Sequence, residues 1–185
     1  MRRLAEVKPE DAPARSRELL TDIITRRGSV GPMVSTMAHS PALLQGYLEF
    51  SRAMKRAKLP RALGEKISLA AQEWIGCDYC LQAHAAAGRA AGLTDNDIAL
   101  ARQATSTDAR ETALISAALR ILAEPSSLSD EDVIQLRSHG WSDRVIVEVV
   151  GLVTLNLLTG AFNLVAGLEP ETEDHSGDIA QLGAS

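Results

Sequence analysis

Aromatic residues are scarce. Phe, Tyr and Trp together make up 3% of the 185 residues. A sheet core of aromatic and β-branched residues is thereby disfavoured. The interior must come from Ala, Leu, Val and Ile, which suits close-packed helices. Cysteine is scarcer still, with two in the whole chain, so this is not a disulfide scaffold. Basic residues form no long run, and the net charge is −5. Without basic patches interleaved with aromatics, nucleic acid is not an expected partner. No apolar stretch follows Arg2 and Arg3. A secretory signal is therefore not expected, and a cytoplasmic location is the default.

Long apolar runs are also rare. Residues 145–167 read VIVEVVGLVTLNLLTGAFNLVAG, long enough to span a bilayer. Glu148, Asn156 and Asn163 interrupt the run, and polar groups are costly in lipid. No strong basic flank sets an orientation. The expectation is a buried core or subunit-interface helix, not a membrane span, with the two asparagines satisfying each other or backbone groups.

What remains is 45% hydrophobic and 23% charged, ordinary for a globular protein. Helical signals dominate. Residues 9–27 carry an early Pro and acidic residues, then Leu19, Leu20, Ile23 and Ile24 at helical spacing; Gly28, Gly31 and Pro32 break the pattern. Ser40-Pro41 supplies an N-cap and a first-turn Pro for the next helix. Pro60 opens another, from residue 61 to Gly76, and Gly92 closes the one after it. Thr94, Ser129 and Ser142 cap later helices, and Pro125 and Pro170 stop two of them. The expected organisation is an N-terminal helical segment (1–30), an all-helical domain (31–170) and a mobile acidic tail (171–185).

A faint internal repeat has a period of 83 residues. It places Arg61 on Arg144, Glu65 on Glu148, Leu69 on Leu152 and Tyr79 on Phe162. Cys77, Cys80 and His84 fall on Gly160, Asn163 and Gly167. A second copy, if it is one, keeps the helical frame and lacks the reactive groups.

Both cysteines lie in one short stretch, EWIGCDYCLQAH, residues 73–84. On a helix, Cys77, Cys80 and His84 stand at i, i+3 and i+7 and share a face. An imidazole one turn from Cys80 can take its proton, and a helix start after Gly76 favours thiolate. A thiolate that attacks a peroxide becomes a sulfenic acid, which a second thiol three residues away converts to a disulfide. Zinc is the rival reading. It needs a fourth ligand, which Glu73 could supply, but no second Cys or His cluster exists.

A histidine base needs an orienting acid. Glu73 lies four residues before Cys77, on the same face of an unbroken helix. Glu65 is twelve residues before it, about 18 Å up a continuous helix. Glu65 reaches the site only if the chain bends at Gly76 and folds back. Spacing alone favours Glu73.

Glu65, eleven residues, Cys77-x-x-Cys80-x-x-x-His84 and then Gly92 resemble the signature of the alkylhydroperoxidase AhpD family, within the carboxymuconolactone decarboxylase-like superfamily. MAHSPALLQGYLEFSRAM, residues 37–54, is similar to the segment that precedes this motif in the family's peroxidase-related members. The resemblance covers roughly residues 30–170, and its specific part is residues 61–92. It implies an all-α, AhpD-like helical bundle, possibly internally duplicated, that assembles as a homo-oligomer (dimer, trimer or hexamer). It implies a thiol-dependent peroxidase acting on small hydroperoxides, with a dithiol or lipoyl-type protein as reductant and no cofactor or metal. Cys80 would be the peroxidatic thiol, Cys77 the more exposed resolving thiol, His84 the proton acceptor and Glu65 the end of the relay. Tyr79 departs from the pattern, because the best-known members carry histidine there. A phenol donates a hydrogen bond but is no base near pH 7. Two other activities remain open on the same scaffold: disulfide exchange or binding without peroxidase activity, and lactone decarboxylation by His84 and Glu65.

Overall fold

The computed structural model describes residues 2–170, so the tail 171–185 lies outside the described residues. Its elements are α1 (Ala14–Arg27), α2 (Pro32–Met37), α3 (Pro41–Met54), α4 (Arg61–Ile75), α5 (Asp78–Ala90), α6 (Asp95–Arg102), α7 (Ala109–Ala123), α8 (Asp130–Ser138) and α9 (Asp143–Ala166). Among the described residues there is no strand, and the all-α class expected from composition is the class observed.

The helix starts follow the capping signals. The Ser40 hydroxyl accepts from Leu43 N–H at 3.3 Å, with Pro41 in the first turn. Thr94 and Ser129 each close a reciprocal capping box, with Asp97 and Asp132. Ser142 accepts from Val145 N–H at 3.4 Å. The pattern of breakers misled at one place. Gly31-Pro32 reads as an interruption, yet Pro32 opens the short helix α2 with Gly31 as its N-cap. Proline lacks only an N–H that a first-turn residue has no use for.

The chain divides into two compact units. The first holds the described part of Met1–Arg56 with Phe162–Glu169. Its core gathers Val7, Ala12, Leu20, Met37, Ala38 and Leu44, with Phe162 packed against them. Burying a side chain such as Leu20 contributes about 1.5–3 kcal/mol. The segment before α1 is tied down by backbone groups. Arg3 and Leu4 N–H both donate to Ala166 C=O, and Val7 N–H donates to Ser35 C=O. The Ser35 hydroxyl returns a bond to Val7 C=O at 2.9 Å.

The second unit contains α4 to α8 and α9 up to Ala161. Helix α4 is its axis. Leu63, Ile67 and Ala70 join Leu114, Ile115, Val149 and Val153 in one cluster. Leu69 joins Leu81, Leu93, Ile98 and Ala101 in another. So α4 is covered by α7 and α9 in one cluster, and by α5 and α6 in the other. Lys66, also on α4, is 7% exposed. It is paired with Glu111 at 2.7 Å and donates to the Ser106 hydroxyl at 3.1 Å, so a buried charge is not left alone.

Helix α9 has two faces. Val145, Val149, Val153, Asn156 and Gly160 are buried, whereas Val147, Val150, Thr154, Leu157 and Ala161 are exposed. It is one helix long and apolar enough to cross a membrane by length and composition. The Asn156 amide finds a backbone partner, as one of the two expected alternatives had it, donating to Leu152 C=O at 3.0 Å. Its side chain also accepts from Gln72 Nε2 at 2.8 Å and donates to the Ser68 hydroxyl at 3.1 Å. Gly160 makes room for this pair: a Cβ there would lie 2.6 Å from Gln72 Oε1. The proposed repeat also meets a difference. Gly76 aligns with Thr159, and where α4 ends at Gly76, α9 runs straight on.

Candidate functional site

The site is made by the end of α4. Gly76 adopts φ +80°, a conformation open to glycine and costly for other residues. Its N–H donates to Glu73 C=O at 3.2 Å, and the next N–H, of Cys77, donates to Gln72 C=O at 3.1 Å. These two bonds form a Schellman motif. Cys77 then becomes the N-cap of α5, and Cys80 N–H donates to its sulfur at 3.3 Å. One residue thus ends a helix and the next begins another running back along it. Gly88 marks the close approach: a Cβ there would sit 3.8 Å from Glu65 Cβ.

This reversal brings Glu65 to His84. The His84 Nδ1–H donates to Glu65 Oε2 at 2.8 Å, across nineteen residues of sequence. The Glu65 and His84 side chains are 18% and 29% exposed. A carboxylate on Nδ1–H fixes the ring and leaves Nε2 as the proton acceptor. Glu73 is elsewhere. It binds Arg102 Nε at 2.6 Å in an exposed pair. This bond is the first cause holding the Arg102 guanidinium above its usual value. The linear-spacing argument for Glu73 assumed an unbroken helix, and Gly76 breaks it.

Cys77 and Cys80 are joined as a disulfide, with Cα atoms 5.3 Å apart, inside the ordinary range. Cys77 is 1% exposed and Cys80 4%. The expectation that Cys77 would be the more exposed sulfur is therefore not met. As N-cap its side chain turns inward over the first turn of α5. Both sulfurs belong to that first turn, where the unpaired N–H groups and the helix dipole favour thiolate. His84 follows Cys80 by one turn on the same helix. Tyr79 lies between the cysteines and is partly buried. Trp74 is 54% exposed, against the usual preference of its residue type for burial. Among the described residues no group of three or more His, Cys, Asp or Glu is gathered for a metal ion.

Sequence reasoning missed Gln72 and Gly88. Gln72 is fully buried one turn before the break. Its backbone carbonyl accepts from Gly76 and Cys77 N–H, and its amide is fastened to Asn156. It ties the cysteine-bearing turn to α9. Its signal was a glutamine on the apolar stripe of α4, four residues before the glycine.

Residues 41–124 match the profile of the Carboxymuconolactone decarboxylase family. No curated protein matches the chain. The structure is similar to that of an alkylhydroperoxidase AhpD core, peroxidase-related protein from Ralstonia eutropha JMP134, with a TM-score of 0.79, 21% identity and 93% of each chain covered. It is similar to a peroxidase-related protein from Silicibacter sp. TM1040, with a TM-score of 0.71, 21% identity, and 89% of this chain and 88% of that one covered. The debrominase Bmp8 has the same fold, with a TM-score of 0.72, 18% identity and 92% of each chain covered. These likenesses establish the AhpD-like helical fold.

Proposed function

We propose that the chain is a thiol-dependent peroxidase of the AhpD-like kind within the carboxymuconolactone decarboxylase-like superfamily, a reading supported by the family match over residues 41–124 and by the AhpD-like fold. The observation that carries this reading is the 2.8 Å contact between His84 and Glu65 on the helix that bears the disulfide-forming cysteines. In the reduced protein His84 Nε2 takes the Cys80 thiol proton. The thiolate attacks the terminal oxygen of a small hydroperoxide. The O–O bond breaks, Cys80 becomes a sulfenic acid, and the alkoxide leaves as alcohol with the proton from His84. Cys77 then attacks the Cys80 sulfur, water departs, and the disulfide forms. Two electrons have passed from the thiols to the peroxide.

A dithiol must reverse the last step by exchange. The burial of both sulfurs favours a dithiol on a slender arm, of lipoyl type, over a flat protein surface. No resident metal or cofactor enters the cycle.

Thiol counting tests the proposal. Reduced protein given one equivalent of cumene hydroperoxide under anaerobic conditions should lose both thiols. Cys77→Ser should accumulate a trappable sulfenic acid on Cys80, and Cys80→Ser should not turn over peroxide. Thiols that stay intact would refute the peroxidase reading. A second reading, reduction of another electrophile by the same thiol pair, is supported by the debrominase, which was solved with 2,3,4-tribromopyrrole. Disulfide formation driven by a bromopyrrole and not by hydroperoxides would favour it. Activity that survives loss of both cysteines would favour the decarboxylase reading.

A further inference from the structure

We infer that Gln72 and Asn156 are positioning residues for the Cys77–Cys80 pair, keeping the two sulfurs within bonding reach when the disulfide is reduced. The inference rests on the thiol–disulfide cycle proposed above and adds what sets its equilibrium. Gln72 lies in the last turn of α4, and its carbonyl accepts from Gly76 N–H at 2.9 Å and from Cys77 N–H at 3.1 Å. Any residue at position 72 would offer that carbonyl. What is particular to glutamine is the side chain, which is fully buried and reaches α9. There its Nε2 donates to Asn156 Oδ1 at 2.8 Å and to Asn156 C=O at 3.0 Å. Asn156 is held in turn, its Nδ2 donating to the Ser68 hydroxyl at 3.1 Å and to Leu152 C=O at 3.0 Å. The carbonyl that fixes Cys77 is thus anchored to a second helix as well as to its own.

Stability alone does not account for this amide. Among the described residues no donor reaches Gln72 Oε1. The oxygen packs against Gly160, where a Cβ would lie 2.6 Å from it. A buried acceptor left unpaired destabilises a fold, and an apolar side chain of the same length would leave none. The position of Cys77 supplies the missing reason. In the oxidised protein the bond between the sulfurs itself holds the turn. In the reduced protein the end of α4 is an ordinary helix end, and helix ends fray. The bond to Asn156 then keeps the last turn formed and Cys77 in place as the N-cap of α5. Fraying would part the thiols and lower their effective concentration for joining.

Redox equilibration of the full chain with dithiothreitol tests this. Oxidised dithiothreitol takes two electrons and two protons from the Cys77 and Cys80 thiols, the sulfurs join, and the ratio at equilibrium reads the potential of the pair. Gln72→Met and Asn156→Leu each break the tether. Each should lower the equilibrium constant for disulfide formation by about two- to tenfold, the contribution of one hydrogen bond, which raises the potential by about 10–30 mV. Each also leaves one buried amide without its partner, so the urea midpoint of the reduced protein should fall. The double variant removes both amides. Its midpoint should recover above those of the single variants, while its potential stays shifted as theirs are. Leu114→Val, a buried change in α7, should lower the midpoint and leave the potential as in wild type; it decides the matter with the single variants if the double variant misfolds. Wild-type potentials in both single variants would overturn the inference. So would a potential that returns with the midpoint in the double variant, or an equal shift in Leu114→Val, since either would leave the pair a packing role only. No peroxide enters the measurement. Shifted potentials in a protein whose thiols resist cumene hydroperoxide would refute the peroxidase reading and still support this one.

Discussion

Replacing Glu65 gives a graded test of the proposed proton relay. The contact is a charge-assisted hydrogen bond of 2.8 Å in a half-buried setting. Such bonds contribute about 1.5–3 kcal/mol, against about 0.5–1.5 for neutral ones. Glu65→Gln keeps the shape and an acceptor oxygen but removes the charge. The loss is the difference, about 1–1.5 kcal/mol, or roughly five- to thirteenfold in rate. Glu65→Ala removes the bond and frees the ring, for a loss of about 1.5–3 kcal/mol, or roughly 13- to 160-fold. Glu73→Ala breaks an exposed pair with Arg102 and should leave the rate within about twofold, as surface pairs have little effect. The assay is stopped-flow mixing of the reduced protein with cumene hydroperoxide. Trp74, three residues before Cys77, is an intrinsic fluorescent reporter, and thiol titration of quenched samples is the check. Equal slowing by the Glu65→Ala and Glu73→Ala variants would refute the role assigned to the 2.8 Å contact. So would a Glu65→Ala variant as fast as wild type.

Four further outcomes follow from the same structure. Gly160→Ala drives a methyl group to within 2.6 Å of Gln72 Oε1 and 2.9 Å of Ile75 Cγ2, and overpacking of this kind should cost about 1–3 kcal/mol in urea unfolding. Gly46→Ala, in helix α3 with nothing within 4 Å of the new carbon, should do the opposite and add about 0.5–1 kcal/mol. The carboxyl groups of Asp132, Asp97, Asp143 and Glu148 are held below the usual range, first by hydrogen bonds from Arg120, Thr94, Arg137 and Arg144 respectively. Depressed folded values mean that this stability is fully present above the unfolded pKa of about 4 and is lost as pH falls through the folded values. Urea midpoints should therefore drop below about pH 4, and less steeply in Asp132→Asn; an unchanged slope in that variant would remove Asp132 from the account. Tyr79→Phe removes a phenol that is no base near pH 7. Peroxide-driven thiol loss should slow less than in Glu65→Ala, and a loss as large would give the phenol a part in the relay.

Much of the fold was legible because its signals are local. Ser40, Thr94, Ser129 and Ser142 each announce a helix through a side-chain oxygen that accepts from the first turn. Gly76 and Gly92 announce helix ends through positive φ. Helix α2 was hidden because Pro32 is both a breaker of the preceding helix and a good first residue of the next. The Asn156 partnership was hidden for a different reason. Gln72 and Ser68 lie 84 and 88 residues away, and no local pattern says which buried amide will meet which. The exposure of Trp74 has the same origin, since a preference for the core by residue type does not say which face of α4 is covered.

The choice between the two glutamates shows where sequence spacing stops being informative about a site. Glu73 and Cys77 are four apart, and on one straight helix that would place them side by side. Glu65 becomes the partner only because a left-handed glycine reverses the chain, after which position along α5 counts backwards along α4. The cue for the reversal was present in the sequence as Gly76 followed by a residue able to cap. What no spacing could supply was the angle at which α5 returns. That angle is set by packing: Leu69 and Leu81 share one buried cluster, and at Gly88 an added Cβ would lie 3.0 Å from Leu93 Cδ1 and 3.8 Å from Glu65 Cβ. A methyl group at position 88 would meet Glu65 Cβ at ordinary van der Waals distance and require only the Leu93 side chain to give way. The turn at Gly76, with φ +80°, is therefore what the His84–Glu65 geometry depends on most directly.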